Sequence, residues 1–159
     1  QYWPDNLPAG HTGAGSDITV SAAGDEFPAF SATVEGLDPV AFLLDDEWGT
    51  LTLLDGQDNE VTWDTAGAEG QVQMIINSGW HGAPPVAVLY CEAPATAGRI
   101  LIPQAIVEAL PIIGGMGLFQ HGSLIAATRS VNLLVDNRIV EVAISRRAAL
   151  NPLHNVPEK

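Results

Sequence analysis

Cys91 is the only cysteine among 159 residues, so no disulfide can close within the chain. The fold has to form without disulfide staples, and a chain of this length can bury enough core to do so. A lone thiol also leaves the redox compartment open. With no His or basic residue as a sequence neighbour, Cys91 reads as an inert core residue rather than a nucleophile. Positive charge is equally scarce. Residues 1–98 hold fifteen Asp/Glu and no Lys or Arg, whereas residues 99–159 hold six Lys/Arg against four Asp/Glu, giving −15 and +2. Nucleic acid is excluded as a partner, because its binding rests on a basic surface that neutralises phosphates. Anionic membrane surfaces are disfavoured for the same reason. No uninterrupted apolar run reaches the ~18 residues that a membrane-spanning helix needs, so a soluble chain is expected.

What the chain does contain is 47% apolar residues with only 16% charged, which excludes a disordered polypeptide. Its 16 Gly and 11 Pro follow no period and suit many turns between short strands. The organising stretch runs from Glu60 to Glu92. Glu60-Val61-Thr62-Trp63 and Val86-Ala87-Val88-Leu89-Tyr90-Cys91 are β-prone, and Gln71-Val72-Gln73-Met74-Ile75-Ile76 begins with the period-2 alternation of a half-buried strand. Further strands are expected at 17–21, 27–34, 40–44, 50–54 and 99–102, then at 122–128, 130–135 and 138–145. Asp136-Asn137 should form the two-residue turn of a closing hairpin. Pro103 and Pro111 bracket a short helix near 103–110. This spacing predicts one all-β domain, an antiparallel sandwich of about seven to nine strands over 17–150. An extended N-terminal arm (1–16) and a C-terminal tail (151–159) flank it.

The order Val61-Thr62-Trp63 followed by Leu89-Tyr90-Cys91 resembles the tryptophan and second cysteine of immunoglobulin-like sandwiches. No cysteine precedes Trp63, so the inter-sheet disulfide is absent, and Leu89 stands where the tyrosine corner would place a tyrosine. A broader likeness runs from Asp58 to Pro111, about a third of the chain. Its Val-Thr-Trp strand, strand ending in Cys, Pro-led helix and Leu-Pro resemble secreted bacterial domains of unassigned function. The resemblance implies an exported immunoglobulin-like β-sandwich and carries over no functional residue. A chain opening on Gln1 without Met or a basic-then-apolar leader fits a processed protein, so an extracellular, cell-surface or periplasmic location is expected.

Several groups are candidates for function. Tyr2 and Trp3 on the arm, with the apolar, glycine-interrupted segment carrying Ile112, Ile113 and Phe119, are candidate partner-binding residues. Trp80 and His81, between glycines on a connection, could offer an indole platform to a sugar or peptide, and Trp48 in an acidic loop is a second such residue. Against this, Trp80 could simply cap the sandwich. Asp45 and Asp46, with Asp55 and Asp58, supply the oxygen ligands calcium prefers, but they flank one short strand and cannot easily share an ion. Solvated turn acids are the plainer reading, and no cofactor is expected. The four histidines never occur at ligand spacing, and no Gly-x-Ser-x-Gly elbow is present.

Three functions remain in view. The first is a non-enzymatic extracellular subunit that assembles with itself or with a larger surface complex, its charge split steering subunits head to tail. The second is a carbohydrate- or ligand-binding module. The third is a hydrolase, for which no motif speaks.

Overall fold

Eleven strands and one short α-helix are described in the computed structural model, within residues 13–78, 87–110 and 123–155. In chain order these are β1 (Asp17–Ala22), β2 (Phe30–Glu35), β3 (Phe42–Leu43), β4 (Thr50–Leu54) and β5 (Asn59–Trp63). Then come β6 (Gln71–Ser78), β7 (Ala87–Pro94), a 3-10 turn at Ala95–Ala97 and β8 (Arg99–Ile102). The helix α1 (Gln104–Ala109), β9 (Leu124–Val135), β10 (Arg138–Ala149) and β11 (Asn151–Asn155) follow. The fold is an all-β sandwich, as the sequence predicts. Eleven strands are described against the seven to nine expected, and β11 is the one that the sequence reads as tail.

Period-2 patterning builds the larger layer. β6 buries Val72, Met74, Ile76 and Ser78 and turns Gln71, Gln73, Ile75 and Asn77 to the opposite face. It is flanked by β7 and β9, and β9 by β10, in the antiparallel order β10-β9-β6-β7. Facing it are the sheet β3-β5-β8 and the pair β11-β4. Between the layers lie Val72, Met74, Ile76 and Ile125 from one side and Leu51, Leu53, Val61, Trp63, Ile100 and Ile102 from the other. Val107 and Leu110 of the helical segment join this core. The stretch 59–94 is therefore central, but it is divided. β5 belongs to the smaller layer and the β6–β7 hairpin to the larger. Trp63 and Cys91 sit in opposite sheets and pack on the same core.

Two polar groups hold the smaller layer in place. Trp63 is buried, its indole N–H donates to the Ala95 carbonyl at 2.6 Å, and Phe42 packs edge-on against it. Asn59 is buried between β4 and β5, which belong to different sheets. Its side-chain oxygen accepts from the Leu54 N–H at 2.8 Å, and its amide donates to the Leu54 and Gln57 carbonyls. One side chain thus supplies the links that a strand ladder would otherwise provide.

Several boundaries differ from the sequence reading. β2 starts at Phe30, so Pro28 precedes the strand, where its missing N–H costs no ladder bond. The break expected near residue 129 does not exist. β9 runs for 12 residues paired with β10 throughout, and Arg129 at its middle is accommodated by an ion pair with Glu35 at 2.9 Å, another with Glu69, and a bond to the Gly36 carbonyl. The expected tail is also structured. Residues 151–155 form β11, parallel to β4 from Asn151 opposite Thr50 to Asn155 opposite Leu54. The turn at Asp136-Asn137 is as expected, both residues adopting positive φ (49° and 58°) as a two-residue hairpin requires.

Trp63→Ala should lower unfolding free energy by ~3–5 kcal/mol through the cavity it leaves. Trp63→Phe should cost ~1–3 kcal/mol, chiefly because the Ala95 carbonyl loses its donor. Urea titration of the two variants checks both the values and their order.

Candidate functional site

The face of the β10-β9-β6-β7 sheet turned away from the core carries a polar, concave surface. Register fixes its membership. Gln71 lies opposite Thr128, and Thr128 opposite Ser145, while Gln73 lies opposite Glu92 and Ser130 opposite Ala143. These residues, with Tyr90 and Glu141, line a groove of about 730 Å³. Thr128 is buried in it, and Tyr90 is 52% exposed.

Sheet twist brings the walls together. Tyr90 is level with Ile75 and Leu124, whereas Glu141 is level with Asn132. Eight residues of β9 separate those levels, about 27 Å on a flat strand. Yet both side chains border one groove, and the Glu141 carboxylate is near enough to act on the Tyr90 hydroxyl. The β9–β10 ribbon is therefore twisted strongly enough relative to β6 and β7 for both edges to border one groove, as two-stranded ribbons twist. Gly70 lets β6 and β9 approach closely. It has φ +77°, and a Cβ there would collide with the Thr128 carbonyl oxygen, so only glycine lets β6 begin this close to β9.

The groove is acidic. The Tyr90 hydroxyl donates to Glu92 Oε2 at 2.8 Å. That bond foremost, then desolvation and the carboxylates of Glu92 and Glu141, pushes the phenol above its usual value of 10.0. Arg129 also borders the groove, but its guanidinium is engaged by Glu35, Glu69 and the Gly36 carbonyl. Arg147 shares the face by register and does not line the groove.

Farther along the same face, at the hairpin tip, Leu134 and Ile139 lie directly opposite one another at 74% and 76% exposure. The other face of the ribbon is covered. β2 rests against it with Ala32 and Val34 buried, and the Arg138 guanidinium sits 5.6 Å from the centre of the Phe27 ring.

The sequence candidates fall elsewhere or outside the described residues. Tyr2, Trp3, Trp80, His81, Ile112, Ile113 and Phe119 are all outside them. Trp48 is 72% exposed in the turn before β4, with its N–H fixed by Asp46 Oδ1 at 2.9 Å. Asp45 and Asp46 lie at one end of β4, and Asp55 and Asp58 beyond the other. Asp46 also accepts from the Thr50 N–H and hydroxyl, Asp45 from Thr52 N–H at 2.7 Å, and Asp58 from Gln104 N–H at 2.8 Å in the first turn of α1. These acids tie turns and a helix start together. Among the described residues no group of three His, Cys, Asp or Glu side chains could hold a metal ion. Cys91 is half-buried, and desolvation pushes its thiol above the usual value, away from the nucleophilic thiolate. The Ser123 hydroxyl accepts from the Asn77 N–H at 2.9 Å. The groove residues were not singled out from sequence, although alternating Gln71/Gln73 and Tyr90/Glu92 marked one polar face.

Asp46 gives a pH signature. The Thr50 hydroxyl first, then the Thr50 N–H, holds its carboxyl below the ordinary 3.8. A depressed value stabilises the fold above about 3.8, and that contribution is lost as pH falls through the folded value. Asp46→Asn should unfold at lower urea than the parent at neutral pH, with the gap closing in acid below about 3.8. A gap of constant size across that range would contradict the assignment. No family model matches the chain, and no curated protein or solved structure matches it, so the reading of this surface rests on its own residues.

Proposed function

We propose that the chain is a non-enzymatic extracellular or cell-surface β-sandwich subunit that assembles with copies of itself or with a larger surface complex. The observation that carries this reading is the exposed Leu134–Ile139 pair at the tip of the β9–β10 ribbon. Two large aliphatic side chains facing water side by side favour contact with a second surface. They lie beside a strand edge that could extend a sheet, because β10 pairs only with β9 among the described residues. The arm residues Tyr2 and Trp3 and the segment with Ile112, Ile113 and Phe119 are further contact candidates from the sequence.

A second reading is a carbohydrate- or ligand-binding module. It is favoured by the polar groove beneath Tyr90 and by the exposed Trp48, whose turn is held by Asp46. An indole presented on a hydrogen-bonded turn loses little entropy on stacking against a sugar.

Light scattering across concentration separates the two. The parent chain should form oligomers that dissociate on dilution, and Leu134→Ser with Ile139→Ser should remain monomeric at every concentration while keeping the parent's circular dichroism. A parent chain that is monomeric throughout would overturn self-assembly.

A further inference from the structure

The groove on the outer sheet face makes a specific demand on any ligand, and this step rests on the ligand-binding reading. A cavity of about 730 Å³ lies within the ~300–1,000 Å³ range of small-ligand sites. Its lining is rich in side chains that both donate and accept: the amides of Gln71 and Gln73 and the hydroxyls of Ser130 and Ser145. An apolar ligand would leave these groups without partners at a cost, whereas a hydroxyl-rich one satisfies them. Tyr90, half exposed, adds an aromatic surface against which the C–H face of a sugar ring can pack.

Charge then narrows the class. Glu92 and Glu141 stand on opposite walls, from β7 and β10, and the guanidinium of Arg129 is engaged elsewhere. The chain as a whole carries −13. Anionic sugars would meet repulsion both on approach and in the site, while a cationic one is attracted in both. A basic peptide would satisfy the charge but not the remaining lining. Its main-chain groups suit the open edges of β7 and β10, not a face whose polar groups are side chains.

We infer that this groove binds an oligosaccharide bearing free amino groups, of the glucosamine type, with Glu92 and Glu141 engaging ammonium groups and Gln71, Gln73 and Tyr90 seating the rings. The two carboxylates set charge selectivity, and the amides and hydroxyls set selectivity for a polyol.

Isothermal titration of the full chain tests this with three probes: a glucosamine tetramer, its fully N-acetylated counterpart and tetralysine. The measurement is made at mildly acidic pH, where the sugar amines are protonated. Binding of the glucosamine tetramer alone, weakened by added salt, is the expected result. Glu92→Gln and Glu141→Gln should each weaken it about tenfold, the loss of one charge-assisted hydrogen bond. Glu60→Gln, an exposed acid in the smaller layer, should leave it unchanged. Equal binding of the acetylated tetramer would overturn the charge assignment while leaving the ligand-binding reading intact. Equal binding of tetralysine, or equal weakening by Glu60→Gln, would reduce the effect to general acidity and overturn the site. Binding of no probe would overturn the inference and remove the groove's support for the ligand-binding reading. Glu92 and Glu141 are exposed, so both variants should fold, which circular dichroism verifies.

Discussion

One guanidinium joins three parts of the chain that are far apart in sequence. β6 runs beside β9 only from Leu124 to Thr128, and Arg129 is the next residue. Where the ladder stops, Arg129 reaches Glu69, just ahead of β6, and Glu35 and the Gly36 carbonyl at the end of β2. Arg146, from the paired strand, donates to the next carbonyl, Leu37, at 2.9 Å. The two arginines thus dock the β1–β2 hairpin onto the ribbon that projects beyond the sandwich. An exposed ion pair is worth ~0–1 kcal/mol, whereas breaking a buried one costs ~3–5 kcal/mol. With its side chain 20% exposed and two carboxylates on it, Arg129 falls between these limits. That is enough to decide whether a peripheral hairpin stays docked.

Docking of that hairpin bears on the groove. With β1–β2 covering one face of the ribbon, the ribbon can extend past β6 and border the groove with its other face without leaving apolar side chains in water along its length. Val131, Leu133, Val140 and Val142 are half-buried on the covered side, and Ser130, Asn132, Glu141 and Ala143 are exposed on the other. Only at the tip does the pattern lapse, with Leu134 and Ile139 facing outward. The acidic groove and the apolar tip are consecutive segments of one coiled surface, so a partner seated at the tip would border the mouth of the groove.

The sequence made the sandwich legible because its strands are short, patterned with period 2 and punctuated by Gly, Pro and Asp-Asn turns, all local signals. Val72, Met74 and Ile76 alternate with Gln71 and Gln73, and that is enough to assign a face. What it could not convey were pairings between distant segments. β11 carries Pro152 and two asparagines, a loop-like composition, and becomes a strand only because β4 offers a parallel edge. Arg129 looked like a break because its partners lie 60 and 94 residues earlier. The groove was hidden for a related reason. Tyr90 and Glu141 belong to opposite ends of the sheet by register, and only the coil of the ribbon, which no local pattern encodes, makes them neighbours.

The sandwich also separates the residues that keep the protein folded from those it presents to solvent. Val72, Met74, Ile76 and Ile125 face inward to the core, while the groove residues occupy alternate, outward positions of the same larger sheet. A change at Gln73 or Glu141 therefore leaves the inner face untouched, and the outer face can vary with little effect on stability. Gly70 is the exception. It lines the groove, yet its backbone conformation sets the distance between β6 and β9. Any side chain there would push the strands apart at the point where the ribbon begins its coil. Fold and groove therefore share a constraint at that residue.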